Sequence, residues 1–210
     1  MNALELLRQS PVMPVIVIRN LQTAVDLARA LVAGGVRSLE ITLRSNIALE
    51  AIELIADAVP DALVGVGTIR DAKQFAAAVH AGAKFAVSPG LTPDIARAAQ
   101  EAGIPFLPGV ATASESMTAA DYGFTVQKLF PAQAVGGLAL LKALYGPLPD
   151  IRFCPTGGIN AQNAKEYLRL PNVECVGGSW LTPESAVAEQ DWEAITKLAR
   201  EACLLAQQPD

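Results

Sequence analysis

The chain is poor in the residues that metal and redox chemistry require. Histidine occurs once, at His80, and cysteine three times, at Cys154, Cys175 and Cys203, with no C-x-x-C pair. Without an H-x-H or a carboxylate–histidine pair there is no ligand set for a metal, which sets aside metal-dependent barrel enzymes. An odd, scattered set of cysteines fits reduced thiols buried as small hydrophobes in a cytoplasmic protein. Basic runs are absent and the net charge is −5, which argues against nucleic acid or an anionic membrane as partner. The apolar runs are too short to span a bilayer. Met1 is not followed by the basic region and apolar run of a secretory signal.

Aromatic residues are also scarce, at 5%, although 51% of the 210 residues are hydrophobic. The apolar mass is therefore mostly Ala, Val, Leu and Ile, a composition suited to helices packed on parallel strands. No linker, low-complexity segment or composition shift divides the chain, so residues 1–210 read as one domain.

Short β-rich runs alternate with alanine-rich amphipathic ones. Strands are expected near 13–18, 37–43, 62–67, 84–88, 105–109, 124–130, 151–155 and 173–177, with helical stretches such as 21–33, 46–58, 71–81, 92–102, 135–145 and 160–169. Several helices should close at glycines before the next strand, at Gly34-Gly35, Gly82 and Gly103, and Gly123 precedes the sixth strand. Eight strands, each followed by a helix, predict a single (β/α)8 TIM barrel. Strands that are apolar throughout imply burial on both faces. "VIVIRNLQT" lacks the glycine-rich turn of an open dinucleotide-binding sheet. Segments 1–9 and 190–206 read as additional helices that could cover the barrel, the first an extra N-terminal helix.

The active site of such a barrel lies at the C-terminal ends of its strands, so polar residues late in strands are the candidates. In "SLEITLR", Glu40, Thr42 and Arg44 recur at a spacing of two and share one face, opposite Leu39, Ile41 and Leu43. In "TVQKLFPA", Lys128 stands among buried apolar residues. A buried ammonium without a partner costs several kcal/mol or gives up its proton. Lys73, Lys142, Lys165 and Lys197 fall on helical stretches and read as surface; Lys84 starts its strand, at the wrong end for catalysis. Strands two and six lie roughly opposite in an eight-strand barrel, so Glu40 and Lys128 can meet near its axis. A desolvated lysine attacks carbonyls and a neighbouring carboxylate relays protons, which together make Schiff-base chemistry. The same two residues also fit a structural ion pair, a non-covalent isomerase, or a binding barrel without catalysis.

Two further segments point to an anion. "CPTGGINAQN" places Thr156, Gly157 and Gly158 between a strand and a helix start, with Asn160 as its cap. "CVGGSW" repeats the pattern with Gly177, Gly178 and Ser179. Glycine lets backbone N–H groups approach an anion, and the loops after strands seven and eight commonly hold phosphate in these barrels. Thr68 in "GVGTI" and Ser88-Pro89 in "VSPG" stand at further strand mouths. Thr68 and Arg44 could bind a substrate carboxylate, or Thr68 could cap the helix that follows. His80, Met117 and Trp180 call for no functional role.

"GGVRSLEITLR", "VGVGTI", "FAVSPGLT", "KLFPA", "RFCPTGGIN" and "CVGGSWL" closely resemble the 2-keto-3-deoxy-6-phosphogluconate (KDPG) aldolases, in order and over nearly the whole chain. That family consists of class I aldolases of the Entner–Doudoroff pathway, often also active on 4-hydroxy-2-oxoglutarate. The resemblance implies Lys128 as Schiff-base lysine, Glu40 as general acid/base, and Arg44 and Thr68 as holders of the pyruvyl carboxylate. It places Pro89 and Phe130 in the pocket wall and Thr156 on the hydroxyl side of the substrate, with an influence on stereochemistry. Gly157, Gly158, Gly178 and Ser179 would hold the phosphate, with Arg19 adding charge there. It further implies a homotrimer and no cofactor. The galactonate epimer and 4-hydroxy-2-oxoglutarate remain alternative substrates.

Overall fold

The computed structural model describes residues 1–205. Nine parallel strands are present among them: β1 (Val12–Ile16), β2 (Ser38–Thr42), β3 (Leu63–Gly67), β4 (Ala86–Val87), β5 (Phe106–Leu107), β6 (Gly109–Val110), β7 (Val126–Leu129), β8 (Arg152–Phe153) and β9 (Val176–Gly178). The helices are α1 (Ala3–Leu7), α2 (Ala24–Ala33), α3 (Ala48–Ala58), α4 (Ala72–His80), α5 (Pro93–Ala102), α6 (Ala113–Asp121), α7 (Gly137–Tyr145), α8 (Ala164–Leu168), α9 (Glu184–Ala188) and α10 (Trp192–Leu204).

The fold is α/β with a curled parallel sheet of six strands, ordered β5-β4-β3-β2-β1-β9, and a second sheet, β6-β7-β8. The fifth expected strand is split into β5 and β6. Pro108 stands between them and has no N–H for the ladder; its carbonyl still accepts from Lys128 N at 2.9 Å. On the far side, single parallel bridges join Phe153 to Val173 and Thr156 to Gly177.

Local signals explain the helix ends. Thr92 caps α5 by accepting from Ile95 N, Pro93 occupies the first turn, and Gly103 ends the helix with φ of 66°. Of the expected helix-closing glycines, Gly35, Gly82 and Gly103 take positive φ and Gly34 does not; Gly123, ahead of β7, takes it too. Helix α6 was not among the expected stretches: its "ASESMTAAD" has little apolar periodicity, and a capping box between Thr112 and Glu115 starts it instead.

Most of the core lies between strands and helices, where Leu27, Leu31, Leu39, Ile41, Ile52 and Val66 are fully or nearly fully buried. A smaller apolar cluster joins Leu6 and Leu7 of α1 to Met13, Phe85, Val87, Leu107, Val126, Cys154 and Cys175. Thus α1 covers the inner faces of the strands, largely near their N-terminal ends, as expected for 1–9. The C-terminal helix does not. Helix α10 packs along α2, with Thr196 Oγ1 donating to the Ala30 carbonyl at 3.0 Å and Ala199 lying against Gly34. Its apolar stripe, Ile195, Ala199 and Ala202, suits a place in the helix layer. Residue 206 of the expected stretch lies outside the described residues.

Candidate active site

Glu40 is the third residue of β2 and Lys128 the third of β7, on different sheets. Their side chains meet: Lys128 Nζ lies 3.4 Å from Glu40 Oε1, with side-chain exposures of 8% and 2%. Both positions are fixed by neighbouring strands. Glu40 stands in register with Val15 of β1 and Gly65 of β3, and Lys128 with Gly109 of β6. Gly67 at the end of β3 leaves the space that Glu40 fills, since a Cβ there would run into its carboxylate. Lys128 Nζ also lies 5.1 Å from the centre of the Phe130 ring, within cation–π range. Of the other lysines, Lys73, Lys84, Lys142 and Lys197 are exposed and Lys165 is half-buried.

Lys128 lines a cavity of about 420 Å³. Thr68, Pro89, Phe130, Thr156, Gly157, Gly158, Gly178, Ser179 and Arg44 all line it, together with Val15, Ile159 and Gly177. Sequence candidates from six strand ends thus converge on one space, while Glu40 is not in its lining and reaches it through Lys128. Thr42 does not join them; its hydroxyl donates to the Ile16 carbonyl at 2.8 Å and ties β2 to β1. Thr68 is not a helix cap either, since Asp71 caps α4 by accepting from Gln74 N at 2.8 Å. Thr68 instead holds φ of 66°, a strained conformation for a β-branched residue and one that gathers at functional sites.

Gly157 and Gly158 both have positive φ, and Gln133 N donates to the Gly157 carbonyl at 3.0 Å. Asn160 does not cap a helix. Its Oδ1 accepts from Gln162 N and Asn163 N, closing a turn, and α8 begins only at Ala164. The loop after β9 likewise turns at Ser179–Thr182 before α9 begins at Glu184. This part of the cavity is therefore bordered by the Gly157-Gly158 loop and by Gly177 and Gly178 at the end of β9, where a loop had been expected, and not by helix starts.

Arg19 stands apart from this wall. It lines an adjoining cavity of about 620 Å³ that shares Val15, Arg44 and Ser179 with the first, and its guanidinium pairs with Glu184 at 2.9 Å. Sequence reasoning missed Val15 and Ile159. The Trp180 ring lies on Gly178, where any Cβ would strike it; the G-G-S-W spacing was the available signal. Beneath the floor, Cys154 Sγ lies 4.0 Å from Thr156 Oγ1, and burial, then the neighbouring Cys154, pushes the Cys175 thiol well above its ordinary range.

Comparison with known proteins gives this geometry its class. The profile of the KDPG and KHG aldolases matches residues 4–198. The 2-dehydro-3-deoxy-phosphogluconate aldolase of Pseudoalteromonas atlantica is 54% identical over 92% of this chain and 90% of its own. The KHG/KDPG aldolase of Escherichia coli is 52% identical over 96% and 94%. The crystal structure of the Legionella pneumophila KDPG aldolase, with pyruvate captured at low pH as a covalent carbinolamine intermediate, superposes with a TM-score of 0.95 at 48% identity, covering 97% of this chain and 98% of that one. Fold and relatives together define an aldolase, a lyase of parallel α/β build. Within that class, the chain belongs to the KDPG and KHG aldolase family.

Proposed function

We propose that this protein is a metal-independent class I aldolase that cleaves 2-dehydro-3-deoxy-6-phosphogluconate to pyruvate and glyceraldehyde 3-phosphate through a Schiff base on Lys128. The observation that carries the reading is the buried Lys128–Glu40 contact beside a cavity bordered by the Gly157-Gly158 loop and by Gly177-Gly178 at the end of β9. The carbinolamine captured in the Legionella relative supports the covalent step.

In this mechanism Arg44 and Thr68 hold the carboxylate of the substrate and present its C2 ketone to Lys128. The Lys128 amine adds to C2, and loss of water from the carbinolamine leaves an iminium. Glu40, through a water, takes the proton of the C4 hydroxyl as the C3–C4 bond breaks. The bonding electrons pass to the iminium, giving the enamine of pyruvate and the aldehyde of glyceraldehyde 3-phosphate. Protonation of the enamine at C3 and hydrolysis of the imine release pyruvate and restore the amine. Pro89 and Phe130 wall the reacting carbons, and Thr156 contacts the substrate hydroxyls and biases stereochemistry. Gly157, Gly158, Gly178 and Ser179 bind the phosphate, with Arg19 as the outer cation.

The architecture that serves this chemistry is a (β/α)8 barrel formed by residues 1–210 as one domain. The split at Pro108 and the bridges at Phe153 and Thr156 support closure of the two sheets into one barrel. A cytoplasmic homotrimer completes the reading; no helix among the described residues is long and apolar enough to cross a membrane. Activity on KHG, 4-hydroxy-2-oxoglutarate, is a second reading, favoured by the double name of the Escherichia coli relative.

Borohydride trapping with pyruvate, followed by peptide mass spectrometry, is the test. A reduced pyruvyl adduct on Lys128 is expected, with none on Lys128→Ala. Folded protein that binds pyruvate yet yields no adduct would overturn the Schiff base.

A further inference from the structure

Lys128 and Arg19 each line one of the two adjoining cavities and each is paired with a carboxylate, but the two pairs differ in kind. Lys128–Glu40 is buried, whereas Arg19–Glu184 has side-chain exposures of 73% and 84%. Arg19 follows the end of β1 and Glu184 opens α9. A turn in which Thr182 N donates to the Ser179 carbonyl at 3.2 Å carries the chain from Ser179 towards Glu184. Registry of Pro14 with Gly178 holds β1 beside β9, so both residues rise from neighbouring strand ends. Together they line the outer cavity that shares Ser179 and Arg44 with the inner one.

We propose that Glu184 tempers the affinity for phosphorylated ligands: its carboxylate occupies the Arg19 guanidinium in the free protein and is displaced by the phosphate of the substrate. This rests on the reading of the substrate as phosphorylated. A carboxylate on Arg19 is a surrogate for the anion that the site would bind, held by the same charge-assisted hydrogen bonds. An exposed pair of this kind contributes little, about fivefold at most in an equilibrium constant. A dianionic phosphate, held at the same time at the Gly157-Gly158 loop and Ser179, outcompetes it. A substrate too short to reach Arg19, or lacking the phosphate, leaves the pair closed. Glu184 therefore acts through Arg19 and touches no reacting atom.

The test is a double-mutant cycle read by binding as well as by turnover. Affinities of wild type, Glu184→Gln, Arg19→Gln and the double variant are measured by calorimetry with 3-phosphoglycerate and with glycerate. Glu184→Gln is expected to tighten 3-phosphoglycerate by about two- to fivefold and to leave glycerate unchanged. Arg19→Gln weakens 3-phosphoglycerate and removes any effect of Glu184→Gln. In turnover of KDPG the gain appears in KM rather than kcat, and it shrinks as salt screens the pair. A Glu184→Gln variant with unaltered or weaker phosphate binding overturns the proposal, as does an effect that survives in the Arg19→Gln background. So does a wild-type protein that does not distinguish 3-phosphoglycerate from glycerate. Failure of the aldolase reading shows separately, as a missing pyruvyl adduct on Lys128.

Discussion

Gly67 lies so close beneath the carboxylate of Glu40 that a single added Cβ would overlap Oε1 and Cγ. Gly67 pairs with Thr42 in the β2–β3 ladder, two positions along from the pair that Glu40 makes with Gly65. Gly67→Ala must therefore move the carboxylate, because the backbone on both sides is tied into the sheet. A displacement near 1 Å at a catalytic group costs about 10²-fold in rate. Steady-state kinetics should show that loss in kcat, with pyruvate still trapped on Lys128; near-wild-type kcat would mean that Glu40 needs no such support.

Glu40→Gln separates proton transfer from adduct formation. The amide keeps the volume and one oxygen near Lys128 but cannot take a proton from the C4 hydroxyl. We expect kcat for cleavage to fall by about 10²- to 10⁴-fold, while borohydride still captures the pyruvyl adduct. A loss smaller than tenfold would remove Glu40 from its acid/base role.

Leu7 of α1 is fully buried in the inner apolar cluster. Leu7→Ala removes methyl groups from a packed site and should cost about 2–5 kcal/mol of stability, measured as a shift in the urea midpoint. A shift below about 1 kcal/mol would show that α1 is loosely seated.

The Cys175 thiol ties stability to alkaline pH. Burial, and then Cys154, holds its proton well above the ordinary value of 9.0. The unfolded chain ionises this thiol near 9.0 while the folded chain does not, so its contribution is complete below that pH. The contribution is lost as pH rises towards the folded value, by up to about 1.4 kcal/mol per pH unit. Tyr167, raised by burial and then by Glu166, acts in the same direction. Urea unfolding of wild type and Cys175→Ala from about pH 8 to about pH 10.5 isolates the cysteine. Equal pH slopes in the two proteins would refute the assignment.

Much of this site was legible because its residues break local rules. A lysine and a glutamate inside apolar strands are costly unless they are paired, and Gly-Gly recurs at two successive strand ends. What escaped depended on contacts across the chain. The break at Pro108 is a matter of ladder geometry, and α6 is started by a capping box rather than an apolar stripe. Asn160 has the chemistry of a helix cap, yet it closes a turn because α8 starts four residues later. The seat of α10 is decided by Gly34, whose missing side chain admits Ala199; neither residue is conspicuous in its own segment. Trp180, for which the sequence called for no role, lays its ring on Gly178.

The position of α1 bears on how the chain is made. Leu6 and Leu7 leave the ribosome before every strand they pack against, and their seat includes Cys154 and Cys175. Arg8, just past the helix, pairs with Glu174 at 3.0 Å. Met13, Phe85, Val87 and Leu107 follow earlier in the chain, but the seat is complete only once Cys175 has been made, so the two leucines wait for their last partners while domains are built from the N-terminus. The segment born before the sheet is the one that finishes it.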